Sequence, residues 1–474
     1  MKDRMRWEKD SLGELSVPAD VYYGIHTLRS ARNFPISGIR NPTSLLTAVV
    51  HIKKAAAETN RDLGRLDALI AGAIEKACDN ILEGGLRDQF IVDVFQMGAG
   101  TSFHMNCNEV IANRAEEILG GIKGEYKRVH PNDHVNMGQS TNDVFPTAMR
   151  LAVLSLLKDS LQPALLEMED TFRIKAEEFD DVVKSGRTHL QDAAPIRLGQ
   201  EFKAYAEALR RGRIFLDISA ESLLYLGIGG SAVGTGLNTS EEYAGLMVSK
   251  LSTLTGFPLV SAEDLREAMQ SMQPMTEVAA ALRNLAIELN RIANDLRLLA
   301  SGPMTGLAEI VLPAVAPGSS AMPGKVNPSM LEMLNMVCYQ LIGCDLVISG
   351  AAQAGQLELN VMMPVIIFNL DFMIRILSNA LKEVRARCIE SIEANAERCR
   401  LYAEQSTALV TALSPALGYQ KAAELADKAL SSGKTLREII VSEGLLTGDE
   451  LEAVLDPKKM TEPGALFSPK RNKS

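Results

Sequence analysis

Aromatic residues are scarce: one tryptophan, nine tyrosines and 13 phenylalanines in 474 residues. So thin a scatter offers no platform for successive nucleic-acid bases. Positive charge is also short, with 49 Lys plus Arg against 59 Asp plus Glu and a formal charge of −10. That balance argues against nucleic acid or an anionic membrane as the main partner. It leaves small anions open, because a local cluster of donors can bind one inside an acidic protein. The six cysteines, Cys78, Cys107, Cys338, Cys344, Cys388 and Cys399, include no CxxC pair. In a chain this long they read as reduced, mostly buried thiols of a cytoplasmic protein. Histidines are also few: His26, His51, His104, His130, His134 and His189. No HExxH occurs, and Pro131-Asn132-Asp133 spoils a helical pair of His130 and His134, so no metal site is expected. The opening MKDRMRWEKDSLGE lacks the apolar core of a signal peptide. The most apolar run, around 361–377, is interrupted by Pro364, Asn369, Asp371 and Arg375, and no membrane span is expected.

What is present is helix. The first hundred residues mix turn signals with short helical patterns. From about 145 to 180, apolar residues recur at helical spacing (Met149, Val153, Leu156, Leu157, Leu161, Leu165, Met168, Phe172), with Pro163 the main breaker. Similar patterns run through 199–224, 272–299, 331–354 and 364–395. Their apolar stripes are too wide for one chain to cover, which predicts an all-α bundle that associates with copies of itself. Shorter pieces from about 397, TLREIIVSEG and TGDELEAVL, read as a small helical cap. At 227–236, GIGGSAVGTG fits a dinucleotide fingerprint in letters only. A long helical pattern precedes it where a strand is required, so it reads as a Gly-rich connection.

Polar, Gly-rich segments separate the long helices: AGTSFHMNC (99–107), HPNDHVNMGQSTND (130–143), SGRTHLQDAA (185–194) and GSSAMPGKVNPSM (318–330). Function is expected on these loops, held by the rigid helices. Thr101, Ser140, Thr141 and Asn142 offer hydroxyls and an amide near the start of a helix, whose dipole favours an anion. Thr188 and His189 add a hydroxyl and an imidazole. Ser319, Ser320, Lys325 and Asn327 add two hydroxyls, one cation and an amide. Neutral donors with a single cation suit a small dicarboxylate. On spacing alone, each segment could equally be a loop rich in capping residues.

GSSAMPGKVNPSM resembles the signature loop of the aspartase/fumarase superfamily, a long and specific motif. VPADVYYGIHTLRSARNFPISG (17–38), DQFIVDVFQMGAGTS (88–102), NEVIANRA (108–115), QSTNDVFPTA (139–148), GRTHLQDAAPIRLGQEF (186–202) and AGQLELNVMMP (354–364) extend the likeness over nearly the whole chain. They are nearest to its aspartate ammonia-lyase branch. The resemblance implies three helical domains, 1–142, 143–396 and 397–474, with the central bundle forming the core of a homotetramer whose sites are shared between subunits. It implies anti elimination of ammonia from L-aspartate to give fumarate, with no metal or organic cofactor. Fumarate hydration, or elimination of an amine from a modified amino acid, is the alternative within the family; a catalytically dead structural protein of this fold is the reading from another class.

By the same resemblance Ser319 is the catalytic base, and Thr101, Ser140, Thr141 and Ser320 bind the β-carboxylate. Lys325 and Asn327, with Thr188 beside them, take the α-carboxylate, and Asn142 and His189 lie at the amino group. Glu332 partners the histidine, and Met322 belongs to the binding loop. Three positions depart from the family pattern: His104 in place of Asn, Met304 in place of Arg and Met363 in place of Glu. The two methionines read as an ion pair replaced by an apolar contact, or, together with the His104 imidazole, as a less polar wall of the pocket that favours a bulkier or less charged β-substituent than that of aspartate.

Overall fold

The structure is a computed structural model describing residues 4–446 and 448–464. The start of the expected first domain (1–3), the end of the expected third (465–474), and Thr447 in the expected piece TGDELEAVL fall outside those residues. Helices account for most of the chain. In order they are α1 (Ile25–Asn33), α2 (Thr43–Asp62), α3 (Ala68–Leu82), α4 (Thr101–Ile118), α5 (Thr141–Leu156), α6 (Gln162–Glu178), α7 (Leu198–Ala220), α8 (Tyr243–Thr255), α9 (Leu265–Gln270), α10 (Gln273–Leu299), α11 (Ser329–Ala352) and α12 (Met363–Arg387). Shorter helices follow. Two antiparallel hairpins, β1 (Met5–Asp10) with β2 (Gly13–Pro18) and β3 (Val183–Thr188) with β4 (Gln191–Arg197), are the longest strands among the described residues.

Two compact units divide the chain. One contains the described residues up to Pro163, Ile214–Ala286 and Cys338–Ser378; the other contains Ala164–Arg213, Ile287–Val337 and the described residues from Asn379. In the first, α2 packs against α3, α5 and α8. Its Leu45, Val49, Val50, Ile52 and Ala55 are all fully buried. The expectation of only short helices in the first hundred residues is corrected here: α2 runs for 20 residues. Apolar side chains on most of its circumference blur the periodicity that marks a one-faced helix.

The pattern over 145–180 is two helices. A π turn at Leu157–Leu161 separates α5 from α6, just before Pro163. Proline has no N–H to donate and its ring crowds the carbonyl four residues back, so the ladder loosens there. In the second unit a separate core gathers Leu409, Leu413, Leu425, Ile440, Leu451 and Val454 from the segments after residue 400. TLREIIVSEG forms its expected helix over Leu436–Ser442, with Thr435 and Glu438 making a capping box. GIGGSAVGTG is an irregular connection leading to α8. All six cysteines are free and buried.

Ser329–Ala352 and Met363–Ser391 are long and apolar enough to cross a membrane by length and composition. Asp345 and Asp371, which lie within them, nevertheless have protein partners. Arg283 donates to Asp345 at 3.1 Å, and Arg375 donates to Asp371 at 2.9 Å.

Candidate active site

The first unit brings four of the expected residues to two helix starts. Thr101 opens α4 after a tight Gly98-Ala99-Gly100 turn in which Ala99 and Gly100 have φ of 62° and 83°. Ala99 N donates to Val361 O at 2.8 Å. A Cβ on Gly100 would lie 2.1 Å from the Phe145 ring, so only glycine permits this approach. Ser140 caps α5: its Oγ accepts from Asn142 N at 3.2 Å, and its own N donates to Asp143 Oδ1 at 2.9 Å. The Ser140 hydroxyl proton stays free to meet an anion. Asn142 Nδ2 donates to Ala232 O at 2.8 Å, which leaves its Oδ1 to accept from a cationic group.

Asp143 fixes this corner from below. Its Oδ2 accepts from Gly229 N and Ser231 N, both at 3.0 Å. Burial raises its carboxyl to about 6. The Gly-rich stretch that mimics a nucleotide fingerprint thus serves as a pair of donors for a buried carboxylate.

Two more residues join this corner: Lys53, which has no functional assignment from the sequence, and His104, which one reading of the sequence sets at the pocket. Lys53, in α2, is fully buried, and its Nζ lies 2.6 Å from His104 Nε2. His104 Nδ1 in turn lies 2.6 Å from Thr141 Oγ1. The sequence signal for His104 was its departure from the family pattern. Lys53 gave none, because IKKAAA reads as an ordinary helix.

The second unit holds the other expected residues. Thr188 and His189 sit at the exposed tip of the β3–β4 hairpin. His189 and Leu190 both have positive φ, 55° and 58°. A two-residue turn of this kind prefers Asn-Gly, so His-Leu holds local strain of the sort found at functional turns. The hairpin is anchored by ion pairs: Lys184 Nζ lies 2.8 Å from Glu201 and 3.2 Å from Glu309, and Arg187 Nη1 lies 2.8 Å from Glu309.

In the loop 318–330, Ser319 Oγ accepts from Ala321 N at 3.2 Å and Met322 N at 3.1 Å. These two donors favour negative charge on that oxygen. Asn327 Nδ2 donates to Gly318 O at 2.6 Å, and Gly318 N donates to Lys325 O at 2.8 Å, which ties the loop's arms together. Ser320, Met322 and Lys325 are exposed, and Glu332 is half-buried in the first turn of α11. Among the described residues no hydrogen bond joins His189 to Glu332, and no group of three or more His, Cys, Asp or Glu is placed to hold a metal.

The two departing methionines differ in kind. Met304 is 85% exposed and Met363 is fully buried in the single chain.

A serine oxygen held by two backbone donors, and a helix start at α5 capped by the Ser140 hydroxyl, agree with the sequence comparisons. A family profile described as "Lyase" matches residues 13–343, and one described as "Fumarase C C-terminus" matches 409–462. The chain belongs to this lyase family, the aspartase/fumarase superfamily, and is an enzyme. It is 50% identical to an aspartate ammonia-lyase of Bacillus subtilis (strain 168) over 97% of this chain and 96% of that one. It is 45% identical to a class II fumarate hydratase of Nitrosomonas europaea, over 97% of this chain and 100% of that one. The crystal structure of a fumarate lyase:delta crystallin from Brucella melitensis bound to cobalt superposes with a TM-score of 0.95 at 48% identity, covering 97% of this chain and 100% of that chain. Its likeness to the ammonia-lyases makes it a carbon–nitrogen lyase.

Proposed function

We propose that this enzyme eliminates ammonia from L-aspartate to give fumarate, with Ser319 as the base. The observation that carries this reading is the pair of backbone N–H groups on Ser319 Oγ. A serine is a base only as an alkoxide, and two fixed donors lower the cost of that charge. Ser319 Oγ takes a proton from Cβ, and the electrons of that C–H bond pass into the neighbouring carboxylate. The resulting dianionic aci-carboxylate is held by hydroxyl donors from Thr101, Ser140, Thr141 and Ser320. Its collapse forms the Cα–Cβ double bond and breaks the Cα–N bond, the nitrogen leaving with the electron pair as ammonia.

Lys325 and Asn327, with Thr188, hold the α-carboxylate, and Met322 lines the loop. Asn142 receives the amino group through its free Oδ1, beside His189. Glu332 orients His189. No metal or organic cofactor takes part.

The enzyme is a cytoplasmic homotetramer of three-domain chains, 1–142, 143–396 and 397–474, with sites shared between subunits. The separate core after residue 400 supports the third domain. The tetramer is supported by α11, where Met336, Tyr339 and Leu346 are 68%, 60% and 74% exposed. Gly343 and Gly350, which continue the same three-and-four spacing, have open space where a Cβ would sit. That is the seam of a helix packed against other helices. Sharing of sites also accounts for the missing His189–Glu332 bond within one chain.

A fumarate hydratase is the second reading, favoured by the 45% identical relative. The test is a panel of L-aspartate, L-malate, fumarate and fumarate with ammonia, read by absorbance of the conjugated alkene. Turnover of L-malate in preference to L-aspartate would overturn the ammonia-lyase reading. Mixing Ser319→Ala subunits with Thr141→Ala subunits, followed by subunit exchange, should restore activity; no recovery would contradict shared sites.

A further inference from the structure

We propose that Lys53 and His104 form a buried relay that sets the hydrogen-bond direction of Thr141, making its hydroxyl a donor to a bound carboxylate only while Lys53 is an ammonium. The role rests on the dicarboxylate site proposed above; the relay itself rests on geometry within one unit.

The geometry leaves two arrangements. Lys53 Nζ has three partners: His104 Nε2 at 2.6 Å, Asn136 Oδ1 at 2.9 Å and Gln139 Oε1 at 2.9 Å. Both amides are fixed in orientation. Asn136 Nδ2 donates to Gln139 O at 3.3 Å, and Gln139 Nε2 donates to Val135 O and Met137 O at 3.1 and 3.2 Å. Their oxygens must therefore accept from Lys53. An ammonium has three protons and no lone pair. Its third proton goes to His104 Nε2. The single proton of a neutral imidazole then sits on Nδ1 and is donated to Thr141 Oγ1, so the Thr141 proton points elsewhere. An amine has only two protons, both committed to the amides. Its lone pair accepts from His104 Nε2–H, Nδ1 becomes an acceptor, and Thr141 spends its proton on the imidazole. Loss of one proton at Lys53 thus turns Thr141 from a donor into an acceptor toward any substrate oxygen.

The surroundings let that proton go. Lys53 is bonded to neutral acceptors only, and burial pushes it down to about 7. The titratable groups acting on it from neighbouring helices are Cys78 on α3, Cys107 and His104 on α4, and Asp143 on α5. Burial holds His104 well below the usual imidazole range, with Lys53 and His26 acting in the same direction, so it stays neutral. The sign follows: an anion at Thr141 favours the ammonium, and affinity falls as pH rises through the Lys53 pKa.

Two measurements test the relay. In the ligand-free enzyme with ¹⁵N-labelled histidine, the His104 signals are assigned by their loss in His104→Phe. The protonated nitrogen should move from Nδ1 to Nε2 between about pH 6 and 9, a span bracketing the titration. In Lys53→Met the tautomer should not respond. A tautomer unchanged over that span in the natural enzyme overturns the relay, whatever ligands bind. The second measurement is inhibition by succinate, which stays ionised over most of the range. Its Ki should weaken about tenfold or more as pH rises, the worth of one charge-assisted bond, and His104→Phe should remove most of that dependence. Full dependence retained in His104→Phe would mean that Lys53 acts through space, and the relay is wrong. A tautomer that switches while succinate binds at no pH would leave the relay standing and remove the dicarboxylate reading.

Discussion

Gly318→Ala tests whether the serine loop is a shaped device. A Cβ on Gly318 would lie 2.3 Å from Lys325 O, 2.8 Å from Asn327 N and 2.9 Å from Lys325 C. All three are backbone atoms, so no side-chain rotation relieves the clash. Ordinary contact begins at 3.4 Å, so the arms must part by about 1 Å. That breaks the 2.8 Å bond from Gly318 N to Lys325 O and shifts Ser319 relative to Lys325 and Asn327. A displacement of about 1 Å in a reacting group costs roughly a hundredfold in rate, or about 2.7 kcal/mol of transition-state stabilisation. The loop is largely exposed, so Tm should move little. The assay is kcat on the enzyme's substrate by alkene absorbance, with Tm measured on the same preparation. A kcat within twofold of wild type, with Tm unchanged, would refute the claim that this loop holds reacting groups in place.

Ser319→Ala should lower kcat by at least about a thousandfold with Tm unchanged, since base catalysis supplies roughly two to four decades; activity above about a tenth of wild type removes Ser319 from the mechanism. Lys325→Met should raise KM strongly, by about 1.5–3 kcal/mol, as one charge-assisted bond is lost; an unchanged KM would leave the lysine as a solvated loop residue. Met363→Glu should destabilise by about 3 kcal/mol or more, because it buries an unpaired carboxylate. Met304→Arg, at an exposed position, should stay within about 0.5 kcal/mol; denaturant midpoints decide both.

The loop 318–330 was legible because its residues are local: spacing along the chain is nearly spacing in space, and the Gly318 and Asn327 bonds close it within thirteen residues. The long helices were legible for the same reason, their periodicity being local. α2 was harder to see, because a helix buried on most sides carries little period. The strain at His189 and Leu190 could not be read, since left-handed backbone is a property of a closed hairpin and not of the letters His-Leu.

By itself the sequence determined the mostly helical class, the serine loop and its family, since each is written in short contiguous stretches; the two hairpins, one of them in the expected loop 185–194, were not read from it. Only the tertiary structure decided what Lys53 touches, that His104 bridges it to Thr141, and that Met304 and Met363 occupy opposite environments. Those facts depend on residues distant in sequence, brought together when buried surfaces pack. Packing also removes the water that would otherwise keep a lysine charged.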